Sequence, residues 1–340
     1  MATAAEQLSK PHLERTVTEP RQDSLHPVWI SQIDQVNPSV RLFRLGLYPP
    51  TDVTTTKHPL FHFLSGQWLD VHVPGIPQAG GFTITSTPQD ALPNQTSTHV
   101  AQPYIELAVQ ESPSNPPAAW LWRPASEILS QQLKVRVGGS FIWPPPDLRS
   151  DEIRRVIFVA GGVGINPLMS MVSHIYQNPQ TFPNAPSIHM LYSTRLVPPL
   201  KTSDEDGTTC GSRLNEILFL ERLREITRIS QGGKIPEKEQ TPFPPFDLRL
   251  HITNSGLGDG DAYLSDNAFE DMKVYNCRIS VADVRDIILG PGSTGGTQQS
   301  GTVCYVCGPP NMTDEFVKAL EEMVGSGAEG KKRVFCEKWW

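Results

Sequence analysis

No apolar run in this 340-residue chain approaches the roughly 18 residues that a membrane-spanning helix needs. Basic residues are in the minority: 29 Lys and Arg stand against 36 Asp and Glu, a formal net charge of −7. A general nucleic-acid binder carries the opposite surplus to neutralise phosphates, so that class is excluded. Cysteines are few, odd in number and irregularly spaced: Cys210, Cys277, Cys304, Cys307 and Cys336. Such a set is not a disulfide framework. Cys304 and Cys307 form a lone CxxC without a second pair, so no zinc site is expected, and no run of four cysteines suits an iron–sulfur cluster. VCYVCG reads instead as a buried strand in which Cys packs as a small hydrophobe. No HExxH or GxSxG is present, which excludes the zincin helix and the hydrolase elbow.

The first 26 residues have no apolar core of the signal-peptide kind, and Glu6, Glu14 and Glu19 count against an acid-poor transit peptide. They read as a disordered leader on an intracellular protein, cytoplasmic or mitochondrial. The remaining length suits two domains, each large enough to bury a core.

The first half carries short β-rich runs, VWISQI, VRLFRLGLY, QWLDVHV, FTIT, YIELAVQ and LKVRV, separated by turn-forming residues. Their spacing predicts a six-stranded antiparallel β-barrel over 27–146. One short helix, Pro116 to Ser126, is expected among them, opened by proline. Proline-rich WPPPDLRSDE, Trp143 to Glu152, reads as the hinge. From 153 to 340 strand and helix alternate: RVIFVAGG and a helix from Pro167, IHMLYST and a helix over Arg213–Arg228, DLRLHITN and ISVADVRDIIL, TVCYVCG and TDEFVKALEEM, then RVFCEKW as a fifth strand. Near-continuous apolar strands alternating with helices predict an α/β domain with a parallel sheet covered on both faces. Lys201–Ser212, Gln231–Pro245 and 290–301 lack periodicity and read as insertions.

Strand Val156–Ala160 runs straight into GGVGINP. Gly161, Gly162 and Gly164 permit a tight turn and close approach of a ligand. Pro167 would open a helix whose N-terminus favours an anion, a dinucleotide pyrophosphate above all. The alternative is a glycine-rich turn that binds nothing.

GGVGINP, then LYSTR at Leu191–Arg195, then CGPPNM at Cys307–Met312, behind a barrel, resemble the ferredoxin–NADP reductase superfamily. GGFTITSTP, NPPAAWLW and the EKWW ending are similar to its branch called oxidoreductase NAD-binding domain-containing proteins. The resemblance implies FAD or FMN in the barrel, NAD(P)H in the α/β domain, and electrons passed to a separate, unidentified acceptor. It implies roles for named residues. Phe82 takes the flavin-stacking position, unless it is only a core aromatic; Thr83 supplies a hydroxyl, and Ser86 contacts flavin N5. Asn115 to Ala118 form the diphosphate loop, and its helix N-terminus is left to face a diphosphate. Gly161, Gly162, Gly164, Pro167, Ser193, Arg195, Gly308 and Pro309 hold the dinucleotide. Cys307 lies near nicotinamide C4, Glu337 belongs to the hydride path with Ser86 and Cys307, and Trp339 with Trp340 cover the flavin, unless the two tryptophans plug a core.

Two departures stand out. Gly80 occupies the position of the phosphate-binding arginine, and Asn115-Pro116-Pro117-Ala118 replaces Gly-x-x-Ser. Thr253-Asn254-Ser255 lacks the arginine of an NADP site, which inclines the reading to NADH, with Arg195 or Arg278 as substitutes. Lys331-Lys332-Arg333 is either a docking patch for an acidic carrier or a solvated strand start. The expected activity is an NAD(P)H-dependent flavoprotein oxidoreductase; the alternative is a non-catalytic NAD(P)H-binding sensor that has lost flavin.

Overall fold

The computed structural model describes residues 11–49, 60–93, 102–196, 214–232, 243–253, 272–290, 301–325 and 327–338. Trp339, Trp340, Cys210, Asn254 and Ser255 lie outside them, as does most of the three insertion-like segments. The chain divides into two compact units, Met1–Pro145 with Asn166–His174, and Pro146–Ile165 with Ile175–Trp340.

The first unit holds six strands: β1 His26–Asn37, β2 Val40–Gly46, β3 Trp68–His72, β4 Gly80–Thr83, β5 Tyr104–Gln110 and β6 Gln132–Gly138. Their order is β4-β3-β6-β1-β2-β5, antiparallel throughout, and an Ile84–Leu107 bridge joins the two edges into the expected barrel. Period-two alternation sets the register of the core. In β6, Leu133, Val135 and Val137 are buried while Gln132 and Lys134 are exposed. The single helix expected over Pro116–Ser126 is two, Pro116–Leu121 and Ala125–Ile128, parted at Pro124, which cannot donate to a helix running through it.

The N-terminal segment differs more. From Pro11 the chain is packed on the barrel, not disordered. Arg21 bridges Gly138, Gln22 N–H bonds the Val137 carbonyl, Gly139 N–H bonds the Pro20 carbonyl, and His12 sits edge-on to Trp68. The anchor is Asp70, a wholly buried carboxylate in β3. His12 Nε2 lies 3.0 Å from its Oδ1; Arg21 Nε at 3.0 Å and Arg136 Nη2 at 2.7 Å lie on its Oδ2. Burial by itself would raise this carboxyl's pKa, but hydrogen bonds from His12, Arg136 and Arg21 outweigh it and hold the group at about 2. Composition could not reveal this strap, because the contacts just named join residues 49 to 119 positions apart in the chain.

The second unit contains β7 Arg155–Gly161, β8 Ser187–Arg195, β9 Phe246–Thr253, β10 Lys273–Tyr275, β11 Thr302–Gly308 and β12 Val334–Lys338. They form one parallel sheet in the order β10-β9-β8-β7-β11-β12. β11 is buried at every residue, with Cys304 and Cys307 wholly so, as small hydrophobes. β10 was not expected; three residues are too few to show a pattern. The helix placed at Pro167 begins at Ile165, after a 3-10 turn over Gly162–Gly164. The helix placed over Arg213–Arg228 is a 3-10 turn, Leu214–Glu216, and then Leu220–Ser230; the chain breaks where Phe219 takes a left-handed φ of 62°. Ser280 caps the helix Val281–Leu289 in a reciprocal box with Asp283, and Pro310–Val324 buries Phe316 and Leu320 one turn apart.

Asp70→Ala strands two arginines beneath the strap and is expected to cost about 3–5 kcal/mol in denaturant unfolding. A carboxylate whose folded pKa is depressed stabilises the fold above its unfolded pKa, and the effect disappears as pH falls through the folded value. The Asp70 contribution, about 2 kcal/mol, is therefore full above roughly pH 4 and lost towards pH 2. Equilibrium unfolding across that window, wild type against Asp70→Ala, measures it as convergence of the two stabilities.

Candidate functional site

Parallel strands end together, and ligands of open α/β sheets gather at their carboxyl ends. In the second unit that edge brings together most residues of the nicotinamide reading. Gly161, last in β7, is in register with Ser193 of β8, and Ala160 with Cys307 of β11. Cys307 is in turn in register with Glu337 of β12, and Gly308 with Lys338. Arg195 closes β8, is exposed, and pairs with Thr253.

The three glycines of the turn do different things. A Cβ on Gly164 would stand 2.2 Å from the Cys307 carbonyl oxygen, and one on Gly161 would stand 2.7 Å from Met312 Sδ and 2.9 Å from Pro309 Cδ. These two positions let β7 and the turn lie against the end of β11. Gly162 has a φ of +56°, is exposed, and a Cβ there would meet nothing within 4 Å. It is the part of the turn left open to a ligand. Gly308 faces Gly161 closely, and Thr313 secures the start of the following helix, its N–H on the Pro309 carbonyl and its hydroxyl on that of Gly308. Pro309 is exposed at that helix cap. Pro167 does not open a helix but lies inside Ile165–Gln177, in the stretch grouped with the barrel unit. Of the basic run, Lys332 and Arg333 both lie within 4 Å of Glu329, at 3.9 and 3.4 Å, which offsets part of its charge.

In the barrel unit, Ser86 is buried in a hydrogen-bonded cluster. Its Oγ accepts the Glu106 N–H at 3.0 Å, so its own hydrogen remains available to donate. Thr85 Oγ1 donates to Glu106 Oε1, and Ser170 Oγ donates to the Ser86 carbonyl at 2.7 Å. Asn166 Nδ2 bonds the Ala108 carbonyl at 3.1 Å, while its buried Oδ1 has no partner among the described residues. Glu106, Asn166 and Ser170 escaped the sequence reading; they reach Ser86 and Ala108 through tertiary folding, and no spacing announces them. Thr83 Oγ1 is also buried without a partner among the described residues. Phe82 packs in the barrel core cluster.

The stretch read from the resemblance as the diphosphate loop is packed differently. A Cβ on Gly80 would lie 2.5 Å from Phe82 Cε2 and 2.8 Å from Pro117 Cβ, so no arginine fits at that position. Ala118 is buried, and its N–H faces the Asn115 side chain at 3.5 Å.

Three solved structures resemble this chain in fold. A ferredoxin–NADP⁺ reductase from Neisseria gonorrhoeae with bound FAD and NADP aligns over 94% of this chain and 100% of its own, at TM-score 0.58 and 12% identity. The Amycolatopsis cytochrome P450 reductase GcoB aligns over 93% and 71%, at TM-score 0.58 and 15% identity. The CS-b5R domains of human Ncb5or align over 93% and 71%, at TM-score 0.57 and 15% identity. The fold is that of the ferredoxin–NADP reductases. In sequence, the chain is 29% identical over 329 residues to human oxidoreductase NAD-binding domain-containing protein 1, covering 97% of this chain and 84% of that protein, and 29% identical over 337 residues to the Bos taurus protein of that name. The reductase component of propane 2-monooxygenase from Gordonia sp. (strain TY-5) is 25% identical over 204 residues, 60% of this chain and 50% of that protein. No family model matches the chain. The oxidoreductase NAD-binding domain-containing proteins match this chain along nearly its whole sequence.

The two glycine roles separate by mutation. Gly164→Ala forces a methyl against the Cys307 carbonyl and is expected to lower stability by about 3 kcal/mol. Gly162→Ala incurs only the left-handed backbone cost, about 1–2 kcal/mol. Thermal melts of the two variants should rank in that order.

Proposed function

We propose that this protein is an NAD(P)H-dependent flavoprotein oxidoreductase that delivers electrons to an acceptor on another molecule. The observation that carries this reading is the carboxyl edge of the parallel sheet, where an open glycine turn lies in register with Ser193 and next to Cys307 and Glu337. In it Gly162 and its neighbours cradle the pyrophosphate, and Ser193, Arg195, Gly308 and Pro309 line the dinucleotide. Cys307 and Glu337, paired across β11 and β12, are the polar groups at the nicotinamide end. Absence of an arginine at Thr253 favours NADH over NADPH.

The barrel meets the flavin requirement in part. Thr83 holds a buried hydroxyl that lacks a protein partner among the described residues, and Ser86 keeps a hydrogen to donate; both suit polar atoms of an isoalloxazine. A flavin bound there would accept a hydride from nicotinamide and release electrons singly to a protein or small acceptor. Ser86 orients the ring, and Ser170 and Glu106 hold Ser86 in place. The sensor reading is favoured by one observation, the closed space at Gly80.

Titrating the purified protein with FAD and FMN in the presence of NADH, with absorbance followed from 300 to 550 nm, decides between them. Flavin-dependent loss of NADH absorbance is expected; a protein that binds neither flavin and oxidises no NADH is a sensor or scaffold. Gly162→Val should reduce NAD(P)H affinity by about tenfold or more in calorimetry, since its side chain enters the open face of the turn. Unchanged affinity in a folded variant would mean the turn binds nothing.

A further inference from the structure

We propose that the barrel recognises flavin by its ring and ribityl end alone and is blind to phosphate, so that riboflavin, FMN and FAD bind alike and exchange as substrates instead of remaining as a prosthetic group. The inference rests on the flavin reading above and goes beyond it in naming the substrate class.

Three observations remove the phosphate grip. First, Gly80 has no room for any side chain: Phe82 from within its own strand and Pro117 from the helix Pro116–Leu121 occupy the path an arginine would take. Restoring a cation there by mutation is sterically barred. Second, the helix that would face a diphosphate has no donor to offer. Its first two residues, Pro116 and Pro117, carry no N–H. The third N–H, of Ala118, is directed to Asn115 Oδ1 at 3.5 Å, and the fourth, of Ala119, bonds the Asn115 carbonyl at 2.9 Å. An anion at this terminus would meet proline rings where other helices present free amides. Third, of the six described arginines of this unit, five are committed elsewhere, and the sixth, Arg15, has its Nε buried in the N-terminal strap. Arg21 and Arg136 lie on Asp70. Arg41 stacks on Trp122 and donates to the Arg123 carbonyl, Arg44 stacks on Tyr104 beside Glu106, and Arg123 pairs with Glu127.

What survives is uncharged. Thr83 and Ser86 offer hydroxyls, which suit the carbonyl and nitrogen edge of an isoalloxazine and contribute equally whatever the ribityl chain ends in. A site built this way loses the charge-assisted contacts that normally make flavin binding tight, so its ligand dissociates between turnovers.

The test is equilibrium binding of riboflavin, FMN and FAD to the full-length protein, by quenching of flavin fluorescence, at about 50 mM and about 500 mM salt. Dissociation constants for FMN and FAD within about threefold of that for riboflavin, unmoved by salt, are expected. FMN or FAD binding more than about threefold tighter than riboflavin, with the advantage lost at high salt, overturns the inference and leaves the flavoprotein reading intact. Failure of all three to bind removes both.

Discussion

The carbonyl oxygen of Cys307 stands 2.2 Å from where a Cβ on Gly164 would be, and a Cβ on Gly308 would lie 3.3 Å from the Gly161 backbone. That contact between the turn after β7 and the end of β11 sets the rest of the second unit. It brings the carboxyl ends of two central strands to one level, and parallel pairing then carries the level outward, to Ser193 on one side and Glu337 on the other. Side chains from four strands gather without any loop having to be long. Because Gly161 and Gly164 are spent on packing, Gly162 alone is free to be exposed. The same constraint explains why a 3-10 turn stands between strand and helix: the chain must clear β11 before Ile165 can begin a regular helix.

On the barrel, a buried charge has a comparable role. Asp70 could not be buried without its three partners, and two of them, His12 and Arg21, come from the segment before β1. The strap it retains reaches the Gly80-Gly81 pair of β4. His12 lies where a Cβ on Gly81 would be, 2.2 Å from its ring atoms, while Phe82 and Pro117 close on Gly80 from the other direction. The Gly80-Gly81 pair is therefore pinned on both faces of β4. Glycine at these positions is a packing requirement of this barrel, not simply the absence of an arginine.

Most of the fold was legible in the sequence because its signals are local. Alternation in LKVRV, apolar continuity in TVCYVCG and the glycine turn after RVIFVA each fall within one element, and each strand they mark is found. What was illegible depends on distant partners. The strap is held by Asp70, Val137 and Gly138, and its polar composition, read alone, is that of a disordered tail. The break at Phe219 follows from a left-handed φ that no propensity assigns to phenylalanine. In the candidate site, Gly161, Ser193, Cys307 and Glu337 carried motif spacing, whereas Ser170 and Glu106 act on Ser86 from other elements and carry none. Pro167 misled because proline is equally at home in any position of a helix's first turn, where no N–H is required of it.

An unpaired buried hydroxyl is a standing cost, so polar groups buried near Thr83 and Ser86 call for a ligand or a partner to offset it. Thr83 keeps such a hydroxyl, and Ser86 is held by two separate hydrogen bonds, from Glu106 and Ser170. Around Gly80 the packing is mutually consistent: Gly80 admits Pro117, and Pro116 and Pro117 leave the helix without donors at its first two positions while Asn115 caps the third. Each makes sense beside the others as a packed surface, and none makes sense as a weakened anion site. On the proposed reading, a barrel with polar groups for the ring and ordinary packing where a phosphate would sit suits a reductase of exchanging flavins, because the hydride goes to the ring and the phosphate serves only to keep the flavin from leaving.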